Sequence, residues 1–234
     1  MARIVILTGA GISAESGIST FRDANGLWEN HDIADVATPE GFEADPVLVN
    51  EFYNQRRRQL CSDAVRPNAA HEALARLQRE LPGEVFIVTQ NIDDLHERAG
   101  ATDVVHMHGE LLSQWCLARG ERTRTRDDIV ERTSCPACGA RGRLRPDVVW
   151  FGEVPYEMDR ISNELESCTL FAAIGTSGEV YPAAAFVQYA ISVGAHTVEL
   201  NLDASRVFSY FHDVRQGLAS VEVPKWVDEV LAAS

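Results

Sequence analysis

Apolar runs that stop abruptly at polar or glycine-rich tips recur along this 234-residue chain. The first, Ile4-Val5-Ile6-Leu7-Thr8, leads into Gly9-Ala10-Gly11. Residues 84–89 deliver Gln90-Asn91-Ile92-Asp93-Asp94, and residues 104–110 run through His106 and His108 to Gly109. Residues 170–174 end in Gly175-Thr176-Ser177-Gly178, and residues 197–200 in Asn201-Leu202-Asp203. Short continuous apolar runs bounded by turn residues predict strands covered on both faces. Between them, residues 67–81 form an amphipathic pattern with Ala70, Leu74 and Leu77 on one stripe. Residues 157–167 and 183–193 also read as helices, and Trp226, Val227, Val230 and Leu231 predict a closing helix. Five strand-then-tip units predict an α/β fold with a doubly wound, Rossmann-like parallel sheet. Such sheets gather ligands just beyond the carboxyl ends of their strands.

Two stretches depart from that rhythm. Residues 24–65 read as polar and mostly helical, with Thr38 capping a helix opened by Pro39 and Asp45 capping another opened by Pro46. In the second, Tyr53 and Arg56 are three apart and share a face. Phe52 falls with Leu48 and Val49 on the apolar side. A tyrosine and arginine so placed also suit a solvated edge with one aromatic tucked in, and Arg57 and Arg58 read as surface charges.

Residues 111–145 show no regular pattern and hold Cys116, a charged tract over 119–132, and Cys135-Pro136-Ala137-Cys138. A zinc ribbon uses two C-x₂-C pairs. Cys135 and Cys138 make one pair, and Cys116 is spaced as half of the other, whose partner position 119 is arginine. Three thiolates with a water or Glu121 would hold a structural zinc; a module without metal, held by packing, is the alternative. The expected organisation is one domain over 1–234, with a large part at about 1–23, 66–112 and 145–234. A small helical and zinc-ribbon-like insert would occupy about 24–65 and 113–144.

The formal charge of −14 argues against nucleic acid as the main partner. It is compatible with basic, lysine-bearing protein substrates. No apolar run approaches the ~20 residues that span a bilayer. Met1-Ala2-Arg3 passes directly into the first strand, so no signal peptide is expected. Five cysteines, an odd number, point to a reducing compartment rather than a disulfide framework. The expectation is a cytoplasmic protein, monomeric by default.

Gly9-Ala10-Gly11-Ile12-Ser13-Ala14 is a G-x-G-x-x-A turn. Its glycines let backbone N–H groups approach a pyrophosphate, Ala14 stands where a small residue packs helix on strand, and the following helix aims its positive end at phosphate. A tight turn without a ligand has the same look. Residues 25–39 show no strand to carry the usual ribose-binding acid, so any dinucleotide is held in an unusual way. Gln90, Asn91 and Asp93 suit a ligand at a strand end, though Asn-x-Asp-Asp also caps helices. His106 and His108 face one side of a strand, and periodicity does not say which moves protons. His71 reads as structural.

Gly9-Ala10-Gly11-Ile12-Ser13, Thr89-Gln90-Asn91-Ile92-Asp93, His108-Gly109-Glu110, Arg145-Pro146 with Val149-Trp150-Phe151-Gly152-Glu153, Gly175-Thr176-Ser177 and Glu199-Leu200-Asn201 stand in the order and rough spacing of the sirtuin family. The chain resembles that family over nearly its whole length. It is most similar to short bacterial CobB-like members of the desuccinylase/demalonylase class, marked by Tyr-x-x-Arg, here Tyr53 to Arg56. The resemblance implies an NAD-dependent protein deacylase that removes acetyl and acidic acyl groups from lysine, giving nicotinamide and O-acyl-ADP-ribose. A mono-ADP-ribosyltransferase and a non-catalytic NAD or ADP-ribose sensor are the alternatives.

By resemblance, His108 is the general base, with Asn91 and Asp93 beside the nicotinamide ribose. NAD falls to Gly9, Ala10, Gly11, Ser13, Ala14, Thr20, Phe21, Arg22, Trp28, Gln90, Ile92, Gly175, Thr176, Ser177, Asn201, Leu202, Asp203 and Ala219. Acyl-lysine falls to Tyr53, Arg56, Ala37, Val149, Phe151, Gly152, Glu153 and Val180. Any zinc on Cys116, Cys135 and Cys138 is structural. Arg56 offers a fork of donors to a terminal carboxylate and Tyr53 a hydroxyl, while Ala37 is similar to the small residue that widens the pocket in that class.

Overall fold

The computed structural model describes residues 2–18, 27–28 and 31–234, with backbone only at 27–28. Thr20, Phe21, Arg22 and the side chain of Trp28 lie outside the described residues. In chain order the elements are β1 (Ala2–Thr8), β2 (Leu27–Trp28), β3 (His31–Asp32), α1 (Ile33–Val36), α2 (Pro39–Ala44), α3 (Pro46–Leu60) and α4 (Ala69–Glu80). Then come β4 (Gly83–Thr89), α5 (Leu95–Arg98), β5 (Val104–His106), β6 (Gly109–Cys116), β7 (Arg122–Arg124), β8 (Leu144–Val148) and α6 (Met158–Ser167). β9 (Leu170–Ile174), α7 (Phe186–Ser192), β10 (His196–Asn201), β11 (Asp213–Gln216) and α8 (Ala219–Ala232) complete the chain.

Six strands form a parallel sheet in the order β11-β10-β9-β1-β4-β5. The alternation along β1 explains why it is central. Ile4 and Ile6 enter a core with Ile87, Ile174, Leu74, Leu77 and Trp226, under α4 and α8. Val5 and Leu7 enter another with Phe86, Phe171, Ile161, Leu165 and Val187, under α6 and α7. Both faces are covered, so Ile4 to Leu7 are apolar without a break rather than alternating. The sequence predicted five of these strands; the sixth, β11, is a mostly exposed edge strand, Asp-Val-Arg-Gln, with no apolar run. The doubly wound prediction therefore holds. From β1 the chain runs to β4 and β5 on one side, then crosses to β9, β10 and β11 on the other. The reversal lies between β1 and β9, where ligands enter sheets of this kind.

Helix caps follow the sequence. The Thr38 hydroxyl accepts from Gly41 N–H at 3.0 Å and Asp45 from Leu48 N–H at 2.9 Å. Three expectations are corrected. Among the described residues the glycine turn opens no α-helix: Ala10–Ile12 and Ala14–Ser16 are single 3₁₀ turns. Ala14 is exposed rather than buried between helix and strand. The run over 104–110 is not one strand. β5 ends at His106, the chain turns, and Gly109 opens β6 in an antiparallel sheet ordered β7-β6-β8, whose strands begin just before and end just after the stretch 111–145 that shows no regular pattern. Arg57 is fully buried, not a surface charge: its Nε donates to Leu111 O at 3.0 Å and its Nη1 to Asn54 Oδ1 at 2.8 Å. Arg58 is half exposed beside Glu51 and Asp128, as a surface charge should be.

Candidate active site

The tips of the central strands are tied to one another by backbone hydrogen bonds. Gly9 N–H donates to Ile174 O at 3.0 Å, Gly11 N–H to Gly175 O at 2.9 Å, Gln90 N–H to Thr8 O at 2.9 Å, and Gly175 N–H to Leu200 O at 3.0 Å. The glycines are needed for this. A Cβ on Gly9 would meet Gly175 O at 2.7 Å, and one on Gly175, where φ is +63°, would meet Ile12 N at 2.3 Å. Asn201 Nδ2 donates to Thr176 O at 2.7 Å, which joins the β10 tip to the β9 tip. Leu202 and Asp203 are exposed beyond it. Glu15 accepts from Ser220 N–H and Oγ–H at 3.0 and 2.6 Å, so the turn of Ala219 is fastened to the loop after β1. Ser177 Oγ accepts from Glu179 N–H.

Beneath these tips runs a buried polar network. Asn68 N–H donates to His71 Nδ1 at 3.3 Å, which leaves the proton on Nε2, 3.4 Å from Ser13 Oγ. Ser13 donates to Asp93 Oδ2 at 2.9 Å and accepts from Asn91 Nδ2 at 3.1 Å. Asp93 Oδ1 also caps α5 through Leu95 N–H, so the capping and ligand roles considered for this residue are not exclusive. Burial pushes its carboxyl up against the Leu95 and Ser13 hydrogen bonds that hold it down. His71 is lowered to about 4 by burial, and His96 is driven well below the usual histidine range by burial and then by the nearby His71 and His106. The sequence missed this network. Thr8, Thr89 and His96, joined by 2.8 and 2.9 Å hydrogen bonds, look like strand and helix positions without chemistry.

The two histidines left open by periodicity now differ. Both meet carbonyls of the loop after β4 through Nδ1: His108 to Gln90 O at 3.2 Å, and His106 to Asn91 O at 3.1 Å. A carbonyl only accepts, so each Nδ1 carries hydrogen. His106 Nε2 is spent on Glu97 at 2.8 Å. His108 Nε2 has no hydrogen-bond partner among the described residues, and burial lowers this imidazole, leaving Nε2 an unprotonated acceptor at neutral pH.

Tyr53, Arg56 and Ala37 are all buried, which removes the solvated-edge alternative. Phe52 shares the cluster of Val36, Ala37, Tyr53 and Trp150, so α3 buries most of its circumference. Trp150 Nε1 donates to Tyr53 Oη at 3.0 Å, and burial lifts the Tyr53 hydroxyl far above its usual value. The Arg56 guanidinium carbon lies 3.2 Å from the Phe52 ring centroid, with Nη1 donating to Phe52 O at 2.6 Å. Phe151 N–H donates to Ala37 O at 2.9 Å, which brings the segment of Val149, Phe151 and Gly152 onto this cluster. Glu153 is committed to Arg145 at 2.7 and 3.0 Å and to Trp150 N–H. Val180 is half-buried at the loop after β9.

The sulfurs of Cys116, Cys135 and Cys138 lie within 4.8 Å of one another, with Cys116 and Cys138 3.7 Å apart. A tetrahedral ion with Zn–S bonds of about 2.3 Å separates its sulfurs by about 3.8 Å, so the triad fits a zinc ion. No fourth side-chain ligand joins the cluster among the described residues.

Residues 9–182 match the family described as the Sir2 family. An NAD-dependent protein deacylase of Vibrio cholerae serotype O1 is 56% identical over 230 residues, covering 98% of this chain and 94% of its own length. The NAD-dependent protein deacylase SIR2rp3 of Leishmania major is 57% identical over 234 residues, covering 99% and 96%. Among solved structures, a Sir2 homolog–NAD complex is 36% identical with a TM-score of 0.88, covering 98% of this chain and 90% of that one. A Sir2 bound to acetylated peptide is 25% identical with a TM-score of 0.81, covering 97% and 92%. Identity of this extent over almost the full chain, on a shared fold, leaves one conclusion: the chain belongs to the Sir2, or sirtuin, family.

Proposed function

We propose that this sirtuin is an NAD-dependent protein-lysine deacylase that removes succinyl and malonyl groups as well as acetyl. The observation that carries the acidic-acyl part is the buried pair Tyr53 and Arg56: Tyr53 shares an apolar cluster with Val36, Ala37, Phe52 and Trp150, and the Arg56 guanidinium lies over the Phe52 ring. A terminal carboxylate reaching this cluster would accept charge-assisted hydrogen bonds from the Arg56 fork and the Tyr53 hydroxyl. Burial also keeps Tyr53 a neutral donor across the working pH range.

The crevice between the β1 and β9 tips fits NAD, with close-packed glycine backbone at Gly9, Gly11 and Gly175 and polar tips on either side. In this reading Gly9, Ala10, Gly11, Ser13 and Ala14 meet the phosphates, with Gly175, Thr176 and Ser177 on the ribose. Asn201, Leu202, Asp203 and Ala219 hold the adenosine, and Gln90, Asn91, Ile92 and Asp93 the nicotinamide ribose. Thr20, Phe21, Arg22 and Trp28 are retained from the family resemblance. NAD supplies a nicotinamide leaving group and an electrophilic ribose carbon. Ser13, itself held by Asn91, fixes the Asp93 carboxylate, and His108 accepts a ribose hydroxyl proton at Nε2 because Nδ1 is held by Gln90 O. The family's alternatives, ADP-ribosyl transfer to protein and non-catalytic sensing, gain no support from these residues.

Three thiolates support a structural zinc whose fourth ligand is a water or Glu121, because position 119 is arginine. The division into a large part and a small insert is kept, supported by separate apolar clusters around Phe52 and Trp150 and around Cys116 and Ile129. The substrates are proteins bearing acylated lysines, and a reducing cytoplasm suits the free thiols. No helix among the described residues is long and apolar enough to cross a membrane.

The test is mass spectrometry of matched acetyl-lysine and succinyl-lysine peptides, with and without NAD, for the wild type and Arg56→Met. NAD-dependent desuccinylation that collapses in the variant while deacetylation persists supports the reading. Deacetylation alone, indifferent to Arg56, sinks the acidic-acyl assignment, and removal of neither group sinks the deacylase reading.

A further inference from the structure

Three consecutive carbonyls of the loop that follows β4 are held from the β5–β6 corner. Gln90 O accepts from His108 Nδ1–H at 3.2 Å, Asn91 O from His106 Nδ1–H at 3.1 Å, and Ile92 O from Leu111 N–H at 2.8 Å. Of the three donors, His106 alone is loaded at both ends of its ring. Its Nε2 lies 2.8 Å from Glu97 Oε1, and its side chain is only 8% exposed. A carbonyl oxygen and a carboxylate both only accept, so satisfying both needs two N–H groups on one imidazole. A neutral imidazole has one.

We propose that His106 is a positioning residue: as an imidazolium bridging the Asn91 carbonyl and the Glu97 carboxylate, it clamps the loop that presents Asn91 and Asp93 to the reacting ribose. This rests on the deacylase reading above. The clamp reaches the chemistry through one residue, because the Asn91 side chain donates to Ser13 Oγ and Ser13 donates to Asp93. When His106 loses a proton, one of its two acceptors loses its donor and the Asn91 backbone is freed to shift.

The charges around His106 are consistent with the cation. Burial alone would lower it, but the hydrogen bond and charge of Glu97, the Asn91 carbonyl and Glu110 on β6 raise it on balance. Glu97 is held low by the hydrogen bond and charge of His106, against its own burial, and feels Arg124 on β7. Asp93 on the loop adds a further acid. His96 on α5 is kept neutral by its own burial, so it adds no opposing cation.

The experiment pairs histidine ring NMR titration of the substrate-free protein with pH profiles of deacylation, for the wild type, Glu97→Gln and His106→Gln. In the wild type the His106 ring shows both N–H protons at neutral pH, whereas His108 shows one. Glu97→Gln, at a residue that is more than one-third exposed and spares the fold, lowers the His106 titration midpoint by about one pH unit. It moves the alkaline limb of kcat down by the same amount. His106→Gln keeps one donor and lowers kcat about tenfold, with a smaller change in KM for NAD. A singly protonated His106 ring at neutral pH, or a Glu97→Gln profile that overlays the wild type, overturns the proposal. Absence of deacylation in the wild type would overturn the proposed function instead, while the titration still decides the state of the ring.

Discussion

Gly100 and Gly109 both have a positive φ, +95° and +83°, in opposite surroundings. Gly100 ends α5 in the open: an added Cβ would find nothing within 4 Å. Gly109 opens β6 opposite Val148, and a Cβ there would stand 2.1 Å from Asp147 O and 2.9 Å from Val148 Cα. Left-handed strain costs about 1–2 kcal/mol at either position, offset by about 0.4–1 kcal/mol of lost unfolded-state entropy. Gly100→Ala should therefore destabilise by about 1 kcal/mol. Gly109→Ala adds overpacking of about 1–3 kcal/mol, because the strand carrying Asp147 must retreat by roughly 1 Å. That strand is not free to retreat, since the Asp147 carboxylate accepts from Ser113, Arg122 and Tyr156. We expect Gly109→Ala to lose about 2–4 kcal/mol, read by urea unfolding through tryptophan fluorescence. Activity should fall too, because His108 is its neighbour and Val149 N–H donates to His108 O. Equal losses for the two variants, within about 0.5 kcal/mol, would refute the argument that crowding and not φ fixes glycine at 109.

Tyr53→Phe strands the Trp150 indole N–H and should cost about 1–3 kcal/mol in urea unfolding. In a cycle with Trp150→Phe, we expect a coupling near 1 kcal/mol; additive losses would disprove the hydrogen bond's contribution. Acid destabilisation should set in below the unfolded histidine value of about 6.5, since a depressed histidine binds its proton more readily when unfolded. His71, at about 4 in the fold, accounts for about 3 kcal/mol of lost stability by pH 4, and a flat urea midpoint from pH 7 to 4 would contradict this. Metal analysis should find about one zinc per chain. Arg119→Cys, which completes the second C-x₂-C, should slow metal loss to a chelator by more than about tenfold; an unchanged rate would rule out position 119 as the vacant corner.

The strands buried on both faces were legible because nothing competes with their apolar run, and the crevice followed from their order. β11 was not, because an edge strand facing solvent carries no such run. The 3₁₀ turns after Gly9 read as the start of a helix because a G-x-G-x-x-A pattern fixes the turn and leaves the next residues' conformation open. Arg57 reads as a surface charge because helical spacing gives a direction and not the groups that lie there: here, Leu111 O and the Asn54 side chain. His106 and His108 show the same limit. Period 2 put them on one side, but only the second nitrogen of each ring separates a clamp from a base.

The position of β1 also has a consequence for biosynthesis. It leaves the ribosome well before both of its sheet neighbours, which pair at Gly83 with Ala2 and at Leu170 with Ile4. The apolar run of β1 therefore waits, unpaired on one edge, until the chain has grown to Leu170 and beyond. Contacts this distant in sequence make folding slow and leave nascent chains exposed to association. The same delay means that the crevice between the β1 and β9 tips does not exist until the loop after Ile174 has been synthesised.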